Sequence, residues 1–78
     1  MPRLRVVKVE WDSGNEGHAT RRVAKHQVEE VLSGEVDARR NKGAAAYIVT
    51  GTASDGSRWR VVFNFEDGVA RPITAWAA

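Results

Sequence analysis

The chain contains no cysteine among its 78 residues. Disulfide bonds and thiolate metal sites are therefore excluded, so stability must come from packing, or from a partner chain that covers leftover apolar surface. No apolar run approaches the roughly 20 residues of a membrane helix, and charged residues interrupt the start of the chain too often for a signal sequence. These absences predict a single cytoplasmic domain over residues 1–78, with a thin core and no membrane partner.

The net charge is only +2, but the charges are unevenly distributed. Residues 1–26 carry a net +3, residues 27–38 a net −4 and residues 39–42 a net +3, while the remainder is neutral. A basic surface favours nucleic acid, because bound Lys and Arg release counterions from the phosphate backbone. The acidic segment would suit a basic partner. The alternative is that both segments are ordinary solvated surface.

The first half of the chain has the pattern of one strand followed by a helix. Residues 4–11 are rich in β-branched side chains and predict a half-buried strand, with Val7, Val9 and Trp11 on its buried side. The spacing of Ser13 and Glu16 is that of a capping box, in which each side chain satisfies a free backbone N–H at a helix start. A short helix is therefore predicted from this segment to about Arg22.

A second helix is predicted from the apolar stripe that follows. Ala24, Val28, Val31 and Leu32 recur at helical spacing, and Ser33-Gly34 ends the element. Residues 35–43 are polar and charged, and they are predicted to form a loop. Within that loop, Arg39, Arg40 and Lys42 make a compact basic cluster suited to tracking phosphates, with a solubilising loop as the alternative.

The second half predicts three antiparallel strands. One covers residues 44–50, and the next covers about 58–66 and has the clearest alternation in the chain. On that strand one face carries Trp59, Val61, Phe63 and Phe65, and the other carries Arg58, Arg60, Val62 and Asn64. The predicted fold class is therefore α+β: one strand, two helices, then three antiparallel strands.

Asp67-Gly68 predicts a two-residue hairpin turn between the last two strands. In that register Asn64 opposes Arg71, Arg60 opposes Ala75 and Trp59 opposes Trp76. Trp76 is then expected to pack on the helix side rather than to stack on a base. Pro72 cannot donate to the ladder, which marks an edge strand or an unpaired position.

Cleavage of RNA through its 2′-hydroxyl needs cations for the developing charge, together with a base and an acid. Arg58, Arg60 and Arg71, with Asn64, are predicted to share the face away from the helices, where guanidinium groups can grip phosphate oxygens. The alternative is an ordinary solvated face. His18 is the candidate acid–base residue, because its ordinary pKa lies near neutrality, and a structural role is the alternative. Neither histidine has a second ligand at metal spacing, so no metal or other cofactor is predicted.

Several of these segments, taken in order, resemble the BrnT-like toxins of bacterial type II toxin–antitoxin systems, which have a RelE-like fold. The resemblance covers nearly the whole chain, through Glu10-Trp11-Asp12 to His18, 28–32, 47–49, 52–56, 61–63 and 71–75. It implies a metal-independent ribonuclease that arrests translation, is inhibited by a cognate antitoxin protein and commonly forms a toxin dimer. A homodimer is compatible with the thin core and an exposed strand edge.

The chain departs from that family at two places. Members usually have Arg-His-Gly before the second helix, where this chain has Arg21-Arg22-Val23. They also tend to have a basic residue in place of Trp76, followed by a basic C-terminal segment, whereas this chain stops at Ala78. Both places are ones where nucleic-acid contacts are expected. The alternative is therefore a non-catalytic relative that acts as an RNA- or protein-binding module.

Overall fold

The computed structural model of the chain describes residues 3–41 and 46–78 and shows a small α+β domain with two helices and two sheets. The helices are α1 (Ser13–Ala19) and α2 (Lys25–Val31). The strands are β1 (Arg3–Val6), β2 (Lys8–Val9), β3 (Gly34–Asp37), β4 (Arg39–Asn41), β5 (Ala46–Thr52), β6 (Arg58–Glu66) and β7 (Val69–Ala77). None of the described helices is long and apolar enough to cross a membrane.

The predicted single strand over residues 4–11 is wrong, because the chain divides between two sheets at Val7. β1 pairs antiparallel with β3, whereas β2 pairs parallel with β7. At the break, the backbone N–H of Val7 donates to the carbonyl of Gly68 at 2.7 Å. Val7 is consequently 78% exposed and Val6 is buried in its place, contrary to the prediction. Val9 and Trp11 are partly buried against the core, on the side predicted for them.

The N-cap of the first helix lies one residue earlier than predicted. Asp12, not Ser13, is the N-cap, and its carboxylate accepts the backbone N–H groups of Gly14 and Asn15. The Asn15 side chain accepts the N–H of Asp12 in return, so the two residues form the capping box. α1 ends at Ala19, short of the predicted Arg22.

The second helix is confirmed, and its apolar stripe lies against the sheet. Val28, Val31 and Leu32 are all buried, whereas Ala24 is an exposed N-cap. α2 packs against β5 and β6, and α1 packs against β7 and α2. The buried β7 residues Ala70 and Ala75 belong to the same core, which places both helices on one side of the sheet.

The larger sheet has five strands in the order β2-β7-β6-β5-β4. Its central three strands are antiparallel, as predicted, and β6 has the predicted bounds. β5 extends to Thr52, two residues beyond the predicted end. The start of the predicted strand, at Ala44 and Ala45, lies outside the described residues.

The predicted loop over residues 35–43 is also wrong as far as the structure describes it. β3 pairs with β1, and β4 pairs antiparallel with β5 at the edge of the five-stranded sheet. Val36 of β3 and Ala38, which lies between the two strands, are buried in the core, whereas Arg39 and Arg40 are both exposed. Pairing with β1 and with β5 therefore overrides the polar local pattern.

The β6–β7 hairpin has the predicted turn but only half of the predicted register. Asp67 and Gly68 have φ values of 50° and 80°, as a two-residue hairpin turn requires, and Asn64 opposes Arg71. Beyond the Phe63–Pro72 pair the register shifts by one residue, leaving Ile73 as the extra residue of a β-bulge. Arg60 therefore opposes Trp76 instead of Ala75, and Trp59 opposes Ala77 instead of Trp76.

Candidate nucleic-acid interface

The face of the five-stranded sheet that the helices do not cover is termed the open face. Pleating alternates side chains between the two faces, so cross-strand partners share a face. Starting from Arg60, this places the following residues on the open face: Lys8, Arg39, Ala46, Ile48, Thr50, Thr52, Arg58, Arg60, Val62, Asn64, Glu66, Val69, Arg71, Thr74 and Trp76. All four of its arginines are exposed.

A groove in this face brings two of the arginines together with an aromatic ring. It encloses about 460 Å³ and is termed the arginine groove; its lining residues are Asp37, Arg39, Ile48, Thr50, Arg60 and Trp76. Arg39 and Arg60 lie on strands separated by β5 and are offset by two residues along it, which puts their backbones about 12 Å apart. Two guanidinium groups at this separation can contact different phosphates of one strand of nucleic acid.

Arg60 is held in the groove by its neighbour on β5. Its Nε donates to Oγ1 of Thr50 at 3.3 Å, and Thr50 is also its cross-strand partner. This bond occupies one of the five N–H donors of the guanidinium, which leaves the remainder of the planar fork for an anion. Thr50 therefore orients Arg60 without neutralising it.

Asp37 is the acidic residue in the lining of the groove, and Arg3, from outside the lining, partly offsets its charge. Nε of Arg3 donates to Oδ1 of Asp37 at 3.2 Å, across the β1–β3 pair. That hydrogen bond and the attraction of the carboxylate raise the pKa of Arg3. Because both side chains are more than half exposed, the pair contributes little to stability, but it tempers the repulsion between Asp37 and an approaching phosphate.

Trp76 lines the groove because of the β-bulge. The extra residue at Ile73 moves Trp76 opposite Arg60, whereas the predicted register had it packed against Trp59 on the helix side. Trp76 is half-buried, whereas Trp59 packs against the core and donates its Nε1 to Oγ of Ser57 at 2.8 Å. The expectation that Trp76 packs on the helix side is therefore wrong.

Arg71 and Asn64 lie at the other end of the open face. They line a second cavity of about 580 Å³, together with Glu10, Phe65, Glu66, Asp67 and Val69. Nε of Arg71 donates to Oε1 of Glu10 at 2.7 Å, and this bond with the attraction of Glu10 raises the pKa of Arg71. Arg71 already has a carboxylate partner in an acidic setting, so it is a poorer phosphate ligand than Arg60.

The other predicted cations divide between the two faces. Arg58 is exposed on the open face, two residues from Arg60 on the same strand. Arg40 is also exposed but lies on the other face, with its guanidinium carbon 5.6 Å from the ring centre of Tyr47. The predicted basic loop is thus a strand as far as Asn41, and this strand places Arg39 and Arg40 on opposite faces of the sheet. Lys42 lies outside the described residues.

The structure does not bring His18 together with the arginines of the open face. His18 is exposed in the last turn of α1, and α1 packs on the opposite side of the sheet. Within residues 3–41 and 46–78, no group of three or more His, Asp or Glu side chains is placed to hold a metal ion. The arginine groove combines two fixed cations, the carboxylate of Asp37 and an aromatic ring.

Sequence reasoning missed four of the groove residues: Asp37, Ile48, Thr50 and, as a groove residue, Trp76. Ile48 and Thr50 alternate with the buried Val49, so the period of β5 could have identified their face. Asp37 carried no comparable signal, because its position depends on the pairing of β1 with β3. The chain matches no protein-family model, and neither a curated protein nor a solved structure matches it.

Proposed function

We propose that this chain is a BrnT-like toxin with a RelE-like fold, and that its target is RNA bound across the open face. The observation that carries this proposal is the arginine groove, in which Arg39 and Arg60 flank a channel beside Trp76. Guanidinium groups bind phosphates in two-point contacts, and aromatic rings stack on bases, so the groove offers both elements of an RNA site. The ordered sequence motifs support the toxin assignment, with a cognate antitoxin as the protein partner.

Arg60 and Arg58 are the residues proposed to stabilise charge during cleavage. When a 2′-hydroxyl attacks the adjacent phosphate, the phosphorane gains negative charge, and fixed cations lower the energy of that state. The RNA must then be cleaved at a bond held between these two arginines. The hydroxyl proton still needs an acceptor, and His18 can serve only if the RNA reaches around the sheet to α1.

The second candidate function is RNA binding without cleavage. It is favoured by the separation of His18 from the arginine groove, because the groove contains cations but no histidine. In this alternative the chain is a relative of the toxins that binds RNA or an antitoxin-like protein. The two candidates differ in one measurable property, the scission of RNA.

The test measures binding and cleavage of a labelled RNA separately, with wild type, Arg60→Ala and His18→Ala. Arg5→Ala is the matched control, because it removes the same charge from an exposed position in the two-stranded sheet. Arg60→Ala is expected to weaken binding and to lower the salt dependence by about 0.7 in the slope of log K against log salt, the value for one phosphate contact to a single strand. Arg5→Ala should change neither.

Each result selects one candidate. Cleavage by wild type that disappears in Arg60→Ala supports the toxin, and loss of cleavage with unchanged binding in His18→Ala assigns His18 as the proton acceptor. Binding without scission supports the second candidate. Equal salt slopes for wild type and Arg60→Ala, or no binding at all, would remove the open face as an RNA site. Induced expression that leaves growth and protein synthesis unchanged would count against a toxin.

A further inference from the structure

Trp76 carries an inference about which kind of RNA the open face accepts. It is a half-buried indole in the lining of an open, cation-lined groove, whereas Trp59 and Trp11 are packed against the core. Each of those two also donates its indole N–H to a protein oxygen, Trp59 to Ser57 and Trp11 to Glu29, at 2.8 Å in both cases. Their environments account for them as structural residues.

The surroundings of Trp76 match what an unpaired base requires. Its cross-strand partner on β6 is Arg60, whose guanidinium can bind the phosphate next to a stacked base. The lining of the groove also includes the aliphatic side chain of Ile48. A ring beside a cation and an apolar floor is the composition of a stacking platform for single-stranded nucleic acid. A base in a duplex has both of its faces covered by neighbouring base pairs, so it cannot stack on a side chain without leaving the helix.

We infer that Trp76 is a base-stacking subsite, and that the open face therefore selects RNA with an unpaired base over duplex RNA. This inference rests on the proposed RNA target of the arginine groove. In this site Arg39 and Arg60 bind the RNA backbone whether or not the bases are paired, and Trp76 stacks only on a base that is unpaired. Substrates would be single-stranded regions, loops or bulges.

The experiment measures the affinity of wild-type protein for a labelled single strand of about ten nucleotides, a length within the usual site size for such surfaces. The RNA is 2′-O-methylated, so it cannot be cleaved through its 2′-hydroxyl during the measurement. Two further ligands are its duplex and an abasic oligomer that keeps the sugar–phosphate backbone. The protein variants are Trp76→Phe, Trp76→Leu and Arg60→Ala, each checked for native folding by circular dichroism.

The inference predicts a specific pattern of affinities. Trp76→Leu keeps an apolar side chain but loses the ring, so binding of the single strand should weaken by roughly 5- to 150-fold, the range for one lost stacked base. Trp76→Phe should retain most of the affinity. Neither variant should alter binding of the abasic oligomer, whereas Arg60→Ala should weaken binding of the single strand and the abasic oligomer alike. The duplex should bind wild type more weakly than the single strand does.

Tryptophan fluorescence gives a second, direct measurement. Stacking of a base on Trp76 should quench its emission, so Trp76→Phe should bind RNA with most of the quenching lost. Trp59→Phe is the matched control, because Trp59 packs on the opposite side of the sheet, and it should keep the quenching.

The outcomes separate this inference from the proposed function. If wild type binds RNA and Trp76→Leu binds as tightly, or if the duplex binds as well as the single strand, the stacking subsite is refuted while the RNA site of the arginine groove stands. If wild type binds none of the three ligands, the proposed RNA target fails, and the subsite with it.

Discussion

Gly51→Ala is expected to destabilise the fold because Gly51 of β5 lies directly against Val31 of α2. A Cβ at this position would lie 2.9 Å from Cγ1 of Val31, closer than two carbon atoms can approach without movement. Val31 is 6% exposed, and a valine in a helix is largely restricted to a single χ1 rotamer. The methyl group therefore cannot turn away, and the helix must shift relative to the sheet.

The expected cost follows from two opposing terms. Forcing an extra methyl group into a packed core costs about 1–3 kcal/mol. Replacing a strand glycine by alanine returns about 0.5–1 kcal/mol, because the unfolded chain loses conformational freedom. The net destabilisation should lie between about 0 and 2.5 kcal/mol, and its central value of about 1 kcal/mol lowers the melting temperature of a domain of this size by roughly 4–8 °C.

A double-mutant cycle with Val31→Ala isolates the contact. Removing Cγ1 and Cγ2 leaves Cβ of residue 31 at 3.6 Å from the new methyl group, which is an ordinary van der Waals distance. In the Val31→Ala background, Gly51→Ala should therefore be neutral or stabilising, when measured by urea unfolding. Gly17→Ala is the control, because a Cβ there meets nothing within 4 Å, and it should stabilise α1 by about 0.5–1 kcal/mol. Equal costs of Gly51→Ala in both backgrounds would refute the proposed clash.

Two further predictions concern a helix cap and a surface carboxylate. Because Asp12 is the N-cap of α1, Asp12→Ala should lower the free energy of unfolding by about 1 kcal/mol, whereas Ser13→Ala should leave it nearly unchanged. Urea unfolding of both variants measures the two effects. A larger loss for Ser13→Ala than for Asp12→Ala would show that Ser13 is the N-cap. Glu30 accepts hydrogen bonds from the backbone N–H and the hydroxyl of Ser54, and these bonds lower its pKa below the ordinary 4.5. The resulting stabilisation is present above the ordinary pKa and is lost as the pH falls through the lower pKa of the folded state. Glu30→Gln should therefore flatten the acid side of a profile of stability against pH, and an unchanged profile would contradict the prediction.

Elements governed by local pattern were predicted well from the sequence. Strict alternation over β6 identified both its bounds and its two faces, so Arg58, Arg60 and Asn64 were correctly grouped on one side. The apolar stripe of α2 likewise identified its buried side. In both cases the period of the side chains is the property that decides which of them reach the core.

Elements that exist only through their pairing partner were missed. Arg39 and Arg40 have no local preference for a strand, and they become β4 only because β5 offers its edge. The same dependence applies to β1, whose partner β3 lies in the segment predicted to be a loop. The position of His18 relative to the arginines also follows from how α1 packs on β7, which no local period encodes.

The bulge in β7 shows how far a single irregularity can move a functional assignment. Pro72 has no N–H for the ladder, and proline within a sheet is confined to edges, strand starts and bulges, so the sequence did carry a signal at this position. Alternation along a strand predicts the face of a residue only up to the next bulge. Pairs between the turn and Pro72 were therefore predicted correctly, and pairs beyond Ile73 are displaced by one residue. The displacement replaces Ala75 by Trp76 opposite Arg60. The bulge thereby adds an aromatic side chain to the predicted row of cations. Binding of RNA to this face must therefore be tested for contacts to bases as well as to phosphates.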